Sequence, residues 1–279
     1  MKKDSRWKDK YFKESCILVD MGKIPRYLYK YTQINENSLS NIENNQLWFS
    51  NPKYFNDPFD FQFDLENKMS DDDVSQLIDS YIKKGLISKQ LRNEMILLLK
   101  SKPNEISKIV NKNIQKVLLT VGISCFSEHK DNILMWSHYA NNHKGVCLKF
   151  DVLKDTSFFF AGDESKSTVA IRKVIYSPKN YSHLNANGII KQKLILQVVP
   201  FTKYKDWKYE KEVRIVSKKT GIIHYSRDAL IEINFGCKIY YSDIQRVKRS
   251  THLCGYKDIV FFKAEKSSTE FSLDFKRIV

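Results

Sequence analysis

Apolar residues recur at two different spacings along this chain. Strict alternation, which is typical of half-buried strands, is clearest at residues 26–31 and 146–150. Spacing by three and four residues, which is typical of helices with one buried face, occurs between such runs. The pattern predicts an α+β fold with a mixed, mostly antiparallel sheet at its core. Strands are predicted at 26–31, 46–50, 121–127, 146–150, 168–176, within 204–216, and at 222–225, 230–235, 259–263 and 271–275, and helices at 34–44, 131–140, 188–205 and 242–252.

Helical spacing is continuous over residues 66–118. Ser70 and the three aspartates after it predict a helix start, because carboxylates in the first turn interact favourably with the helix dipole. Gly85 predicts the end of that helix. Further helices at 88–100 and 106–117 complete a predicted helical insertion. The inward positions of the helix at 88–100 are predicted to be Leu91, Met95, Leu98 and Leu99.

The N-terminal residues 1–25 are polar and basic, with one short apolar run. They are predicted to form an arm or helix that lies across the main body. Residues 26–279 are predicted to form a single α+β domain that contains the helical insertion. A chain of 279 residues is long enough to bury a substantial core.

A stiff, aromatic-lined turn follows the second predicted strand. Two prolines restrict the backbone of residues 51–60, and the same segment carries Asn56, Asp57 and Asp60. Short polar side chains on a rigid turn can hold the polar groups of a ligand in place. The alternative interpretation is a capped turn buried under neighbouring loops.

The predicted helix at 131–140 carries Ser137, His138 and Tyr139 in succession. Because each helical residue turns by about 100°, these three side chains cannot all face one point, and a Ser137–His138 nucleophile pair is excluded. His138 alone remains a candidate acid, base or ligand-orienting donor. The alternative is a half-buried histidine whose hydrogen bonds are satisfied within the fold.

A row of charged residues is predicted before the C-terminal part of the chain. Strand periodicity places Glu210, Glu212 and Arg214 on one face, with Val213 and Ile215 on the other. Two carboxylates and a guanidinium can form a cleft wall in which Arg214 fixes a glutamate or an anion. The alternative is a solvated strand face with a cross-strand ion pair that contributes little to stability.

The net charge of +15 favours attraction to nucleic acid, to an anionic membrane surface or to phosphate-bearing ligands. The lysines are spread along the chain, often beside Asn and Ile, and a lysine-rich proteome would give the same bias. Nucleic-acid binding or processing therefore stands as an alternative function.

The five cysteines form no CxxC pair, and no Cys or His pair has ligand spacing that a second pair supports. No apolar run follows the N-terminal Met-Lys-Lys, and no stretch approaches the length of a membrane span. These features predict a cytoplasmic protein with reduced thiols, no membrane span and no structural zinc.

Three sequence blocks occur in a specific order: Tyr29-Lys30-Tyr31 ahead of residues 47–60, Cys125-Phe126-Ser127 ahead of residues 135–145, and then residues 209–214. Their order and content resemble the bacterial family named domain of unknown function 2971. The resemblance covers nearly the whole chain from about residue 26 onward. The family name carries no established activity, so the resemblance implies a site without naming its reaction.

A second resemblance, to mono-ADP-ribosyltransferases of the Arg–Ser–Glu type, supplies a mechanism. Lys30, Ser50 and Glu212 occur in the order of that pattern, with Glu210 completing its Glu-x-Glu. The resemblance implies an ADP-ribosyltransferase-like fold, NAD as co-substrate, and a last glutamate that stabilises an oxocarbenium-like transition state. Lys30 departs from the pattern, because it stands where arginine or histidine is usual and lacks the fork geometry of arginine.

These arguments predict one site and leave two alternatives open. The predicted catalytic residues are Glu212, Ser50 and His138, and the predicted cofactor-binding residues are Lys30, Tyr31, Asn56, Asp57, Tyr139, Glu210 and Arg214. No metal ligand is predicted. The alternatives are a nucleic-acid-binding protein without NAD chemistry and a metal-dependent hydrolase that would use Asp57, Asp60, His138 and His143.

Overall fold

The structure is a computed structural model of the chain, and it describes residues 5–61, 71–83, 85, 88–101, 108, 112, 115–160, 168–178 and 198–279. The helices and strands, in chain order, are α1 (Ser5–Asp20), β1 (Tyr27–Thr32), α2 (Glu36–Glu43), β2 (Gln46–Phe49), α3 (Asp71–Lys83), α4 (Arg92–Ser101), β3 (Gly122–Ser127), α5 (Ile133–Tyr139), β4 (Val146–Asp151), α6 (Thr156–Phe159), β5 (Thr168–Lys173), β6 (Ile175–Ser177), β7 (Thr202–Tyr204), β8 (Glu212–Ser217), β9 (Gly221–His224), β10 (Leu230–Phe235), α7 (Tyr241–Leu253), β11 (Val260–Lys266) and β12 (Leu273–Ile278).

A mixed sheet of eight strands organises the fold, in the order β12-β11-β10-β4-β1-β3-β8-β5. Neighbouring strands are antiparallel except β10 and β11, which run parallel. The predicted α+β class with a mixed, mostly antiparallel sheet is therefore confirmed. None of the helices in the described part of the chain is both long and apolar enough to span a membrane.

The described residues divide into two compact units, each treated separately below. The first comprises Met1–Asn51, Gly122–Val174 and Asp206–Val279, and the second comprises Pro52–Val121 and Ile175–Lys205. The eight-stranded sheet belongs to the first unit. The predicted division into an arm and one domain stays a prediction.

One face of the sheet, called here the core face, carries the main apolar core of the first unit. Leu28, Phe126 and Phe150 lie on it and are at most 2% exposed. The rings of Phe126 and Phe150 meet edge to face, with centroids 5.8 Å apart. Helices α2 and α7 cover this face with Leu39, Ile42, Ile244 and Val247.

The opposite face, called here the α5 face, packs against helix α5. Trp136 of α5 is fully buried and meets the ring of Tyr31 at 5.3 Å, nearly perpendicular to it. Cys147 and Ala264 join the same cluster. Because Tyr31 lies on β1 three residues after Leu28, strand alternation directs the two side chains to opposite faces.

The prediction that residues 151–167 form a loop is wrong for residues 151–160, the part that the structure describes. Residues 156–159 form α6, whose N-cap Asp155 accepts the N–H of Phe158 at 3.1 Å. Phe158 and Phe159 are fully buried, with ring centroids 4.8 Å apart. The aromatic run therefore forms part of the core; residues 161–167 lie outside the described residues.

The second unit contains α3, α4 and the parallel pair β6–β7. Helix α3 begins at Asp71 as predicted, and Gly85 adopts a left-handed φ of +70° just after it. Leu91 and Leu98 were predicted to face inward but are 47% and 56% exposed. Residues 96–99 are four consecutive apolar residues, which a helix cannot direct to one side.

Several other boundaries differ from the predictions by a few residues, as in β11 and β12, and two predicted elements differ more. The predicted strand 168–176 is divided at Val174 into β5 and β6. The end of the predicted helix 188–205 is instead β7, while its residues 188–197, like most of the predicted helix at 106–117, lie outside the described residues. All five cysteines, each within the described residues, are free thiols.

Candidate functional site

The end of helix α5 contacts the segment before β8 through a short hydrogen bond. The hydroxyl of Tyr139 donates to Oε1 of Glu210 over 2.6 Å. Glu210 is only 2% exposed, and this donor–acceptor distance is typical of a hydroxyl bound to an ionised carboxylate. A tyrosine and a carboxylate in direct contact form a pair that can position or transfer a proton.

Asn132 holds helix α5 and the opposing segment together. Its side-chain oxygen caps α5 by accepting the N–H groups of Leu134 and Met135 at 2.9 and 3.2 Å. Its side-chain nitrogen donates to the carbonyl oxygen of Tyr209 at 2.6 Å. One residue thereby positions both members of the Tyr139–Glu210 pair.

The predicted strand row of Glu210, Glu212 and Arg214 is wrong at its first member. Residues 205–210 form a 3₁₀ helix, and Lys211 adopts a left-handed φ of +46° before β8 begins at Glu212. The break redirects Glu210 away from the strand periodicity. Ser127 fixes the result by donating its hydroxyl to the carbonyl oxygen of Glu210 at 2.7 Å.

Glu212 and Arg214 form a buried, two-pronged ion pair on β8. Nε and Nη2 of Arg214 donate to the two carboxylate oxygens of Glu212 at 2.7 and 3.1 Å. The exposed fractions of the two residues are 4% and 0%. The alternative of a solvated strand face is therefore wrong, and Arg214 fixes a glutamate as the other interpretation predicted.

Cys125 lies directly opposite Arg214 on the neighbouring strand β3. Burial raises the pKa of the Cys125 thiol well above its ordinary value, and the charge of Glu212 adds to the effect. The thiol is therefore protonated at neutral pH, and it lacks the thiolate character that a nucleophile requires.

Aromatic side chains border the Tyr139–Glu210 pair. The imidazole of His138 is exposed, and its ring centroid lies 6.2 Å from the rings of both Tyr139 and Tyr209. The ring of Trp207 lies 6.1 Å from that of Tyr209. These rings offer stacking surfaces for a planar ligand group.

The ammonium of Lys30 forms hydrogen bonds with two residues of strand β3. It donates to Oγ of Ser124 at 3.1 Å and to the carbonyl oxygen of Cys125 at 3.0 Å, and it lies 5.0 Å from the centroid of the Phe126 ring. Burial lowers the pKa of Lys30 below its ordinary value. The lysine thus satisfies a strand carbonyl while its stem covers apolar surface.

Strand register shows which face Lys30 occupies. Tyr29 pairs with Ser127, and Ser127 pairs with Glu212. Because paired residues share a face and neighbours alternate, Glu212 lies on the α5 face and Lys30 on the core face. The structure does not bring these two predicted site residues to one face.

Ser50 forms an isolated antiparallel bridge with Ile123, with reciprocal backbone hydrogen bonds of 2.9 and 2.8 Å. Ile123 shares a face of β3 with Ser127, so Ser50 lies on the same face as Glu212. Ile123 and Ser127 are four residues apart, which corresponds to roughly 13 Å along a strand.

Tyr31 packs under α5 and donates its hydroxyl to the carbonyl oxygen of His129 at 2.9 Å.

The predicted residues Asn56 and Asp57 lie in the second unit. Oδ1 of Asp57 accepts the N–H of Phe59 at 2.9 Å, and Oδ1 of Asp60 accepts the N–H of Phe61 at 3.1 Å. These contacts make a capped turn. Among the described residues, no three His, Cys, Asp or Glu side chains are placed to hold a metal ion.

Sequence reasoning gave no positioning role to Asn132 or to Ser127, although Ser127 belongs to the block Cys125-Phe126-Ser127. Asn132 stands immediately before a helix, and an N-cap signal could have identified it. Ser127 carries no such signal, because its role depends on the pairing of β3 with β8. The functional roles of the predicted residues stay predictions.

With this geometry established, comparison with known proteins identifies a family resemblance over part of the chain. Residues 135–215 match the family model described as "Protein of unknown function (DUF2971)". The DUF2971 match runs through Tyr139, Glu210 and Arg214, so it supports that resemblance over the stretch that forms the site. Searches of curated proteins and of solved structures gave no match. None of the comparisons supports the ADP-ribosyltransferase-like fold.

Proposed function

We propose that this protein transfers ADP-ribose from NAD to an acceptor, with Glu210 as the reacting carboxylate. The observation that carries the proposal is the 2.6 Å hydrogen bond between Tyr139 and Glu210 in the first unit. Tyr139 holds the carboxylate in one orientation, and the aromatic rings beside it suit a planar nicotinamide or adenine group.

Glu210 would act in two ways during transfer. Its negative charge would stabilise the positive charge that develops on the ribose as the bond to nicotinamide breaks and nicotinamide leaves with the bonding electrons. Its carboxylate would then accept the proton that the acceptor loses as the new ribose bond forms. Glu212 and Arg214 lie on the α5 face of the sheet and would brace this site.

A direct assay tests the proposal. Purified protein is incubated with ³²P-labelled NAD and a bacterial lysate, and released nicotinamide and macromolecule-bound label are quantified. We expect both to exceed the values for lysate alone. Absence of nicotinamide release, together with absence of NAD binding by calorimetry, would contradict ADP-ribosyl transfer.

A surface on β1 favours nucleic-acid binding as a second candidate function. Tyr27 is 37% exposed. The guanidinium of Arg26 and the ammonium of Lys149 lie 5.3 and 4.5 Å from the centroid of its ring. Cationic groups around an exposed ring suit a stacked base and its phosphate. Both cations also pair with carboxylates, Arg26 with Asp151 at 3.0 Å and Lys149 with Glu232 at 3.2 Å.

Binding across a salt series tests this candidate. We expect fluorescence anisotropy to show affinity for single-stranded RNA that falls steeply between about 50 and 200 mM salt. Tyr27→Ala should weaken binding by about 1–3 kcal/mol, whereas Tyr241→Ala, which removes an exposed tyrosine of α7, should not. Equal effects of the two substitutions would exclude a specific role for the β1 surface.

A further inference from the structure

A half-open cavity of about 500 Å³ lies in the first unit, and the Tyr139–Glu210 pair does not line it. The turn between β11 and β12 forms one side, and the turns before β4 and after β10 form the other. Its volume falls within the usual range of small-molecule sites. The lining residues that matter here are His143, Lys238, Lys266, Ser267, Thr269 and Ser272.

Strained backbone places His143 in this wall. Asn141, Asn142 and His143 adopt left-handed φ values of +48°, +52° and +69° in succession. The carbonyl oxygen of His143 accepts the N–H of Lys238 at 3.0 Å, and a Cβ on Gly236 would lie 2.1 Å from that same oxygen. Such strain persists only where the surroundings hold it, and it concentrates at functional sites.

Part of the lining has the chemistry of an anion site. Two lysines, Lys238 and Lys266, and several hydroxyl-bearing residues outnumber one carboxylate, Glu270, while Ile133, Cys237, Phe271 and Leu273 make the rest of the lining apolar. Nδ1 of His143 is buried and has no hydrogen-bond partner within the part of the chain that the structure describes. A buried polar atom without a partner is costly, and a turn of the imidazole that brings this nitrogen to a ligand in the cavity would remove that cost.

We propose that this cavity binds a phosphate monoester. The phosphate would lie between the ammonium groups of Lys238 and Lys266, accept hydrogen bonds from the hydroxyls of Ser267 and Thr269, and satisfy the imidazole of His143. Three phosphate oxygens offer enough acceptors for this donor set, which a single carboxylate does not. The site is independent of NAD and of the Tyr139–Glu210 pair.

Titration of the full chain with ribose 5-phosphate, followed by calorimetry and by NMR of the histidine side chains, tests the proposal. Burial, with the charge of Lys238 adding to it, lowers the pKa of His143. A bound phosphate favours the charged imidazole, so we expect the pKa of His143 to rise on titration. Inorganic phosphate should give the same shift with lower affinity, and sodium acetate at matched ionic strength should give none.

Three substitutions identify the donors, and a fourth serves as control. Lys238→Gln, Lys266→Gln and His143→Asn should each weaken ribose 5-phosphate binding by about tenfold. Asparagine tolerates a left-handed φ, so the His143 variant should keep its fold, which circular dichroism confirms. Lys257→Gln removes an exposed lysine outside the cavity and should leave the affinity unchanged.

The outcomes separate specific binding from attraction to a basic protein. Equal losses in all four variants, or no binding of either phosphate at millimolar concentration, would overturn the proposal. Co-sedimentation with vesicles containing phosphatidic acid, but not phosphatidylglycerol, would support it and place the phosphate monoester on a lipid. Preference for ribose 5-phosphate in solution would support it and place the group on a soluble metabolite.

Discussion

Replacement of Arg214 by methionine should lower the free energy of unfolding by about 3–5 kcal/mol. Arg214 is fully buried, and its guanidinium holds both oxygens of Glu212, which is 4% exposed. Without the guanidinium, the carboxylate must stay buried without its counter-charge or bind a proton. The loss is large beside the 5–15 kcal/mol that is typical of a whole domain. Urea unfolding followed by circular dichroism measures it.

Two further variants show whether charge compensation causes the loss. Arg249→Met removes an exposed arginine of α7 and should change stability little. The double variant Glu212→Gln/Arg214→Met should be more stable than Arg214→Met alone, because it leaves no buried charge. If Arg214→Met were as stable as Arg249→Met, the ion pair would have no structural role.

The sheet could be predicted from the sequence because its alternation survives burial on both faces. In β1 and β4, the aliphatic and phenylalanine side chains go to the core face, where Lys30 joins them, while the tyrosines, Cys147 and Lys149 go to the α5 face, so the period of two stays visible. In β8 all six residues, Glu212–Ser217, are buried. There the pattern suggests a solvated polar face, because local sequence does not reveal what covers a strand.

The candidate site was only partly predictable, for two physical reasons. The left-handed φ of Lys211 separates Glu210 from strand β8, which begins at Glu212. No residue such as glycine marks that break in the sequence. The opposite faces of Lys30 and Glu212 depend on the register of β1, β3 and β8, which is a long-range property. Residue order along the chain therefore grouped Lys30 with Glu212, although strand pairing places them on opposite faces of the sheet.

Helix phase explains the part of the site that the sequence did identify. His138 and Tyr139 are adjacent on α5, so they point about 100° apart. Tyr139 accordingly reaches Glu210 while His138 remains exposed. The same argument that excluded a Ser137–His138 pair thus leaves one residue of the motif inside the site and one at its rim.

The substitution Glu210→Gln should reduce the rate of ADP-ribosyl transfer by about 100- to 1,000-fold. Glutamine keeps the size of the side chain and can still accept the hydroxyl hydrogen bond of Tyr139, but it carries no charge and cannot accept a proton. The transition state would therefore lose its electrostatic partner while NAD binding changes little. Steady-state kinetics with labelled NAD, together with a binding isotherm for each variant, measure the two effects separately.

Tyr139→Phe and Lys30→Met complete this test. Tyr139→Phe removes only the hydroxyl that orients Glu210, so kcat should fall by about tenfold, less than in Glu210→Gln. Lys30→Met should leave both kcat and the affinity for NAD nearly unchanged, because the Lys30 ammonium lies on the core face and is held by Ser124 and Cys125. A large rise in the KM for NAD in Lys30→Met, with Glu210→Gln fully active, would contradict this assignment. The reacting carboxylate would then be Glu212, as the residue order alone suggested.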